Sequence, residues 1–175
     1  MSEQDFVTDQ IFSIKRITKY QGSDRIVNIP EEIDLIAFRA FENADIDTVV
    51  LPKNVRIICD FAFDGCKSLT RIEICNPDID FGEAPFSHIA PEYEIIFAGT
   101  KAQFEKVADA CLGTFEHQSG DYHHPSSTQF EYYKAKKYVN IFCRRDEDQF
   151  TCRVVCTDGE LVYHSMPYKE RIVRL

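Results

Sequence analysis

An alternation of apolar and polar residues with a period of two predicts short β-strands in the first half of the chain. The inward-facing side chains of these strands are apolar: Val27, Ile29, Val49, Leu51, Ile72 and Ile74. The outward-facing side chains are mixed in character: Ile26, Asn28, Thr48, Val50, Arg71 and Glu73. Pro30 and Pro52 cannot donate a backbone hydrogen bond and therefore end two of the strands at turns. A Val-x-x-Ile step then returns the chain across the stack, and DFAFDGC is expected to form a short helical turn that Gly65 ends at positive φ.

The same apolar pattern returns at a fixed spacing along the chain. Ile29-Pro30, Ile33, Ile36 and Ala40-Phe41 recur 22 residues later as Leu51-Pro52, Val55, Ile58 and Ala62-Phe63. A looser third copy matches Val49 to Ile72 and Phe63 to Phe86, with an insertion at Cys75-Asn76. A period in the low twenties is typical of a solenoid, in which stacked units share one core. The repeat therefore favours a binding scaffold over an enzyme.

The segment IDTVVLPKNVRIICDFAFDGCKSLTRIEI resembles the BspA-like leucine-rich repeat, a bacterial-type unit that reads roughly L-x-x-I-x-I-P-x-x-V-x-x-I-x-x-x-A-F-x-x-C-x-x-L. The matching positions are Val55, Ile58, Ala62, Phe63, Cys66, Leu69, Ile72 and Ile74. IFSIKRITKYQGSDRIVNIP resembles the family's entry strand pair, and EIIFAGTKAQFEKV resembles its closing strand and helix. The resemblance covers about residues 12–107. It implies a right-handed solenoid that binds macromolecules, in a family without a catalytic signature.

These patterns together predict an α+β fold: a short right-handed leucine-rich-repeat solenoid of parallel strands and short helical turns, with a C-terminal helix and a β-hairpin cap. We divide the chain into a solenoid with its entry and closing helix (1–113), an exposed loop (114–130) and a β-rich cap packed on the repeats (131–175). We expect the array to lose its register and stop within residues 79–92. Thr100 is the expected N-cap of the helix, and Asp158-Gly159 the expected hairpin turn.

Acidic side chains outnumber basic ones, which gives a net charge of −9. Residues 1–100 hold 18 acidic and 9 basic side chains, whereas residues 101–175 hold 11 of each. Because an acidic surface repels phosphate groups, nucleic acid and anionic membranes are disfavoured as partners. The polar start MSEQDFVTDQ differs from a signal peptide, and no stretch approaches the roughly 20 apolar residues of a membrane span. We therefore expect a cytoplasmic protein, although many members of the resembling family are surface proteins.

The chain has seven cysteines, which we interpret as reduced, buried thiols. Four of them lie within apolar patterns: Cys59, Cys66, Cys75 and Cys111. A metal or thiol site remains an alternative, built from His117, His123, His124, Cys143, Cys152 and Cys156. Along one strand Cys152 and Cys156 would lie roughly 13 Å apart, too far for one zinc ion or a disulfide, so Cys143 would have to meet one of them. A Cys111–His117 nucleophile pair is disfavoured because Cys111 falls on an apolar helix face.

No phosphate-binding loop, nucleophile elbow, zinc-protease motif or dinucleotide fingerprint is found in the sequence. We therefore predict no catalytic residues, no metal and no cofactor. The predicted partner-binding residues form two outward columns, Ile26 with Thr48 and Arg71, and Asn28 with Val50 and Glu73. They suit a protein or peptide partner. The alternatives are a solvated sheet face without a ligand, and an accessory protein that assembles through its C-terminal half.

Overall fold

The computed structural model describes residues 5–112, 141–142 and 150–165. Its elements, in chain order, are β1 (Phe6–Ile11), β2 (Ile14–Tyr20), β3 (Ile26–Asn28), β4 (Leu35–Ile36), β5 (Thr48–Leu51), β6 (Ile57–Ile58), β7 (Arg71–Ile74), β8 (Asp80–Phe81), β9 (Glu92–Phe97), α1 (Lys101–Leu112), β10 (Ile141–Phe142), β11 (Thr151–Cys156) and β12 (Gly159–Ser165). The predicted exposed loop, residues 114–130, lies outside the described residues.

Each repeat contributes one strand to each of two sheets. One sheet has seven strands in the order β10-β12-β11-β9-β7-β5-β3, and the other has five in the order β1-β2-β4-β6-β8. Strands β3, β5, β7, β9 and β11 are mutually parallel. The predicted solenoid of parallel strands is confirmed. The five-stranded sheet is new, because the sequence indicated only a return step where β4, β6 and β8 lie.

The predicted inward column is confirmed by the strand register. Val27 pairs with Val49, Val49 with Ile72, and Ile72 with Ile95 of β9. The column continues through Val154 of β11, and all five side chains are fully buried. These apolar side chains belong to one continuous core cluster, so the stacked repeats bury each other's apolar faces as a solenoid requires.

A column of stacked aromatic rings runs through the turns of the repeats. Ring centroids are 5.0 Å apart between Tyr20 and Phe41, 4.7 Å between Phe41 and Phe63, and 5.2 Å between Phe63 and Phe86. The segment DFAFDGC, predicted as a helical turn, forms hydrogen-bonded turns and no helix. Gly65 leaves this turn at a φ of 76°, as its position predicted.

The repeat register does not break within residues 79–92, so that prediction was wrong. Ile58 pairs with Phe81 of β8, Phe86 stacks on Phe63, and β9 pairs in parallel with β7. The inserted Asn76 donates a hydrogen bond to the backbone oxygen of Val55 (2.9 Å), which fits the extra residues into the turn. The glycine and prolines of this segment belong to the turns that every repeat contains.

The C-terminal hairpin extends the repeat sheet. β11 pairs in parallel with β9, and β12 pairs antiparallel with β11. Cys156 pairs with Gly159, so the turn residues are Thr157 and Asp158, one position earlier than predicted. Gly159 has a φ of 130°, which favours glycine. The division of the chain at residues 113 and 130 stays a prediction.

Thr100 is the N-cap of helix α1, as expected from the sequence, and it exchanges two hydrogen bonds with Gln103. The Thr100 hydroxyl accepts a hydrogen bond from the backbone N–H of Gln103 (3.2 Å), and the Gln103 side chain accepts one from the N–H of Thr100 (2.9 Å). Asp158 of the hairpin turn accepts from the N–H of Lys101 (2.7 Å), so hairpin and helix are joined. In the part of the chain that the structure describes, no helix has the length and apolarity needed to cross a membrane.

Candidate functional site

The outward side chains of the seven-stranded sheet line up in two columns. The first predicted column, Ile26, Thr48 and Arg71, continues through Glu94 of β9, Arg153 of β11 and Val162 of β12. The second, Asn28, Val50 and Glu73, continues through Ile96, Val155 and Glu160. The structure therefore aligns the six predicted site residues and adds six more on three further strands. We call this surface the column face.

Five charged residues of the column face form one chain of ion pairs, here called the charge ladder. Arg71 donates hydrogen bonds to Glu73 (2.9 Å) and to Glu94 (2.8 Å). Arg153 donates to the other oxygen of Glu94 (3.0 Å) and to both carboxylate oxygens of Glu160 (2.5 and 3.1 Å). The Arg71 guanidinium is therefore already shared between two carboxylates.

The ladder alternates in sign and ends in carboxylates. Hydrogen bonding from Arg153 lowers the pKa of the Glu160 carboxyl, and the same contact raises the pKa of Arg153. Three carboxylates against two guanidinium groups leave one net negative charge. Glu94 is the most enclosed of these carboxylates, with its side chain 25% exposed. Glu73 and Glu160, which each contact one arginine, are the ladder groups best placed to meet a cation from outside.

Apolar side chains lie between the charged ones on the same surface. Val50, Ile96 and Val155 occupy three of the six positions of the second column, and each is half-buried. Ile26, on the edge strand β3, is 59% exposed. A surface of separated apolar positions beside paired charges resembles the mixed composition of protein–protein interfaces.

A second group of polar side chains borders the amino-terminal ends of β3 and β5. Arg25 donates to both carboxylate oxygens of Asp47 and to Asp45 (2.7 Å). Ser68 donates to the other oxygen of Asp45 (2.8 Å). Hydrogen bonding from Arg25 lowers the pKa of the Asp47 carboxyl. This border is therefore acidic at neutral pH, like the ends of the charge ladder.

The metal and thiol alternatives are only partly within the described residues. His117, His123, His124 and Cys143 lie outside them. Within the described ranges, no group of three or more histidine, cysteine, aspartate or glutamate side chains could hold a metal ion. Cys152 and Cys156 are both buried on β11. The six-residue site therefore stays an untested alternative, and the disfavoured pairing of the buried Cys111 with His117 is likewise untested.

The described thiols differ in their access to solvent. Burial raises the pKa of the Cys66 thiol to about 12, and Cys66 donates a hydrogen bond to the backbone oxygen of Phe41 (3.0 Å). Cys75, predicted to be buried, is exposed, because it follows the inward-facing Ile74 and so faces outward. Cys59 is half-buried. The prediction of buried thiols holds for Cys66 and Cys111 and was wrong for Cys75.

Sequence reasoning missed Glu94, Arg153 and Glu160. The segments EYEIIF and TCRVVC alternate inward and outward side chains, as TRIEI does, so their outward residues could have been identified. The alternation alone, however, does not show that β11 lies beside β9. That neighbourhood joins Arg153 to Glu94 across 59 residues of chain.

Comparison with known proteins identifies the repeat. A family model described as the BspA type leucine rich repeat region matches residues 10–111, in six copies. Among solved structures, a T. pallidum leucine rich repeat protein, TpLRR, is 26% identical, with a TM-score of 0.47. The match covers 56% of this chain and 53% of that one, so the chain spans about half the length of TpLRR. A comparison with curated proteins gave no match.

Proposed function

The chain belongs to the BspA-type leucine-rich repeat family, and from that premise we propose that it is a non-enzymatic module whose column face binds a protein or peptide. The observation that supports this most is the alignment of outward side chains in two columns across six strands. Stacked repeats use such extended surfaces to bind other macromolecules. The partner-binding residues of the proposal are Ile26, Asn28, Thr48, Val50, Arg71 and Glu73, extended by Glu94, Ile96, Arg153, Val155, Glu160 and Val162.

In the proposed complex, Val50 and Ile96 receive an apolar side chain of the partner. Glu73 lies between them in the second column and contacts one arginine within the ladder. A lysine or arginine of the partner would therefore pair with Glu73. Within the proposed complex, Arg71 holds Glu73 and Glu94 in place through its two hydrogen bonds, and Glu73 contacts the partner's cation.

The charge of the chain favours a partner that is neutral or basic. The first hundred residues hold twice as many acidic as basic side chains, and the charge ladder has a net negative charge. Complementary potentials mainly increase the rate of association and select against wrong partners. Nucleic acid and anionic membranes stay disfavoured in the proposal for the same reason.

An accessory protein that assembles through its C-terminal half is the second candidate. Its support is that Arg153 and Glu160, both on the C-terminal hairpin, are two of the five residues of the charge ladder. The two candidates use the same face, so they differ only in where along the sheet the partner lies. Changes at β3 and β5 separate the two, because they weaken binding in the first and leave assembly unchanged in the second.

A photo-crosslinking amino acid at position 50 tests the proposal without a known partner. The variant protein is irradiated in an extract of its native cells, and adducts are identified by mass spectrometry. We expect one dominant protein adduct from position 50, which excess unlabelled wild type suppresses, and none from the control position Ala102, exposed on α1. The proposal is wrong if position 50 gives no adduct, or if both positions give the same one.

A further inference from the structure

Strand β1 is an exposed edge of the five-stranded sheet. It pairs with β2 on one side, and in the described part of the chain it has no strand on the other. Val7 and Ile11 are 41% and 44% exposed, and Phe12, at the tip of the β1–β2 hairpin, is 94% exposed. Natural edge strands are usually protected by charged side chains, especially lysine, by proline or by a bulge. β1, with the sequence FVTDQI, contains neither lysine nor proline.

The irregularity in this hairpin lies on β2. Val7 pairs with Lys19 and Thr8 with Ile17, so the extra residue is Thr18. From Thr8 to Ile11 the pairing with β2 advances one residue at a time. The backbone N–H and C=O groups on the outer side of β1 therefore keep the regular spacing of an unbulged strand. Such an edge can add another strand by hydrogen bonding.

The residues of this edge are symmetric in chemical class about Asp9. Val7 and Ile11 are apolar, and Thr8 and Gln10 are neutral and polar. The symmetry extends to a phenylalanine at each end, in the order Phe-Val-Thr-Asp-Gln-Ile-Phe. Antiparallel pairing of two such segments about Asp9 would place valine opposite isoleucine and threonine opposite glutamine. Opposed pairs of these kinds stabilise antiparallel strands.

The central aspartate does not oppose this pairing, because its charge is compensated within each chain. Arg16 donates two hydrogen bonds to Asp9, at 2.5 and 2.8 Å, and this contact lowers the pKa of the carboxyl. Two copies would bring together two aspartates and two arginines in a compact group of alternating charge. A two-fold symmetric contact of this kind is isologous, the commonest arrangement in homo-oligomers.

We propose that two copies of the chain associate through antiparallel pairing of β1 with β1, centred on Asp9, which joins the two five-stranded sheets into one of ten strands. This inference is independent of the proposed function, because β1 and the column face belong to different sheets. The dimer would present two column faces. A partner with two binding segments would then gain avidity from simultaneous engagement.

Sedimentation velocity over a concentration series of the full chain tests the dimer. We expect the wild type to be dimeric at high concentration, and Val7→Lys/Ile11→Lys to be monomeric with an unchanged circular dichroism spectrum. Ile26→Lys, on the edge of the other sheet, is the control and stays dimeric. A wild type that is monomeric throughout overturns the proposal. So does a lysine variant that is still dimeric, since another surface would then hold the copies together.

Disulfide trapping tests the register. In a Cys75→Ser background, Asp9→Cys places two cysteines directly opposite each other at a Cα separation of about 5 Å, which a disulfide can bridge. In the same pairing, Val7→Cys lies opposite Ile11, so its two copies are four residues apart along the strands and too far apart for a disulfide. We expect oxidation to give a covalent dimer of Asp9→Cys in high yield and little of Val7→Cys. Equal yields, or more from Val7→Cys, contradict the proposed pairing.

Discussion

The phenyl ring of Phe63 lies between those of Phe41 and Phe86 and is fully buried. Two residues of the turn around it have positive φ angles, Phe61 (53°) and Gly65 (76°). Arg39, Asn43, Ala84 and His88 adopt the same conformations at the matching places of the neighbouring repeats. The sequence predicted the glycine but not the others, because phenylalanine and arginine give no local signal for positive φ. Their backbone is held by neighbouring repeats, through hydrogen bonds such as Phe61 N–H to the Glu83 oxygen (3.0 Å).

Phe63→Ala should lower the free energy of unfolding by about 3 to 5 kcal/mol, since it removes a ring from the middle of the stack and leaves a cavity. Phe41→Ala should behave alike. Phe61→Ala, two residues away and half-buried at the surface, is the matched control and should cost about 1 kcal/mol or less. Chemical denaturation measures all three. Equal effects at positions 61 and 63 would show that the aromatic column does not stabilise the repeats.

The thiols give a second test at this scale. Cys75 is exposed, although partial burial and the carboxylates of Glu73 and Glu31 raise its pKa. Among the cysteines that the structure describes, we expect iodoacetamide to alkylate Cys75 first in native protein, faster as the pH rises, and to leave Cys66 unmodified. Mass spectrometry of tryptic peptides follows both sites. After unfolding, all seven thiols should react, with identical migration on gels with and without reductant. Recovery of one or three thiols would contradict the expected reducing compartment.

At the scale of elements, the predictions succeeded where the signal was local and long enough. The sequence predicted β3, β5 and β7 from the alternation of apolar and polar residues and from the prolines that follow two of these strands, and it predicted α1 from the N-cap at Thr100. Strands β4, β6 and β8 are two residues each, too short to show a period, so the five-stranded sheet was not predicted. The contact between the hairpin turn and α1 was missed because the two segments are 57 residues apart in the chain.

The cap of α1 gives the prediction at this scale. Thr100→Ala removes the hydroxyl that accepts from the N–H of Gln103 and should lower the free energy of unfolding by about 1 kcal/mol. Thr100→Ser keeps the hydroxyl and serves as the control. Urea denaturation of both variants decides the outcome. An alanine variant as stable as wild type would mean that the cap does not contribute to docking the helix on the sheet.

At the scale of the whole molecule, the column face depends on two segments that are distant in the chain. Repeat strands supply Glu73, Arg71 and Glu94, and the C-terminal hairpin supplies Arg153 and Glu160. The six predicted site residues follow from the repeat period. Glu94 and Ile96 follow from the pairing of β9 with β7, and the four residues of the hairpin follow from the pairing of β11 with β9, which no pattern in a single sequence predicts. Exposed ion pairs of this kind each contribute little to stability.

Titration calorimetry with the crosslinked partner, once purified, tests the binding role of the column face most directly. Arg71→Glu/Val50→Asp disrupts the ladder and the apolar position together, whereas Phe38→Lys, exposed elsewhere on the repeats, is the control. Both should melt close to wild type. We expect at least a tenfold loss of affinity for the double variant, about 1.4 kcal/mol, and no change for the control. Full affinity of the double variant, or binding abolished by a chelator alone, would contradict the proposed role of this face.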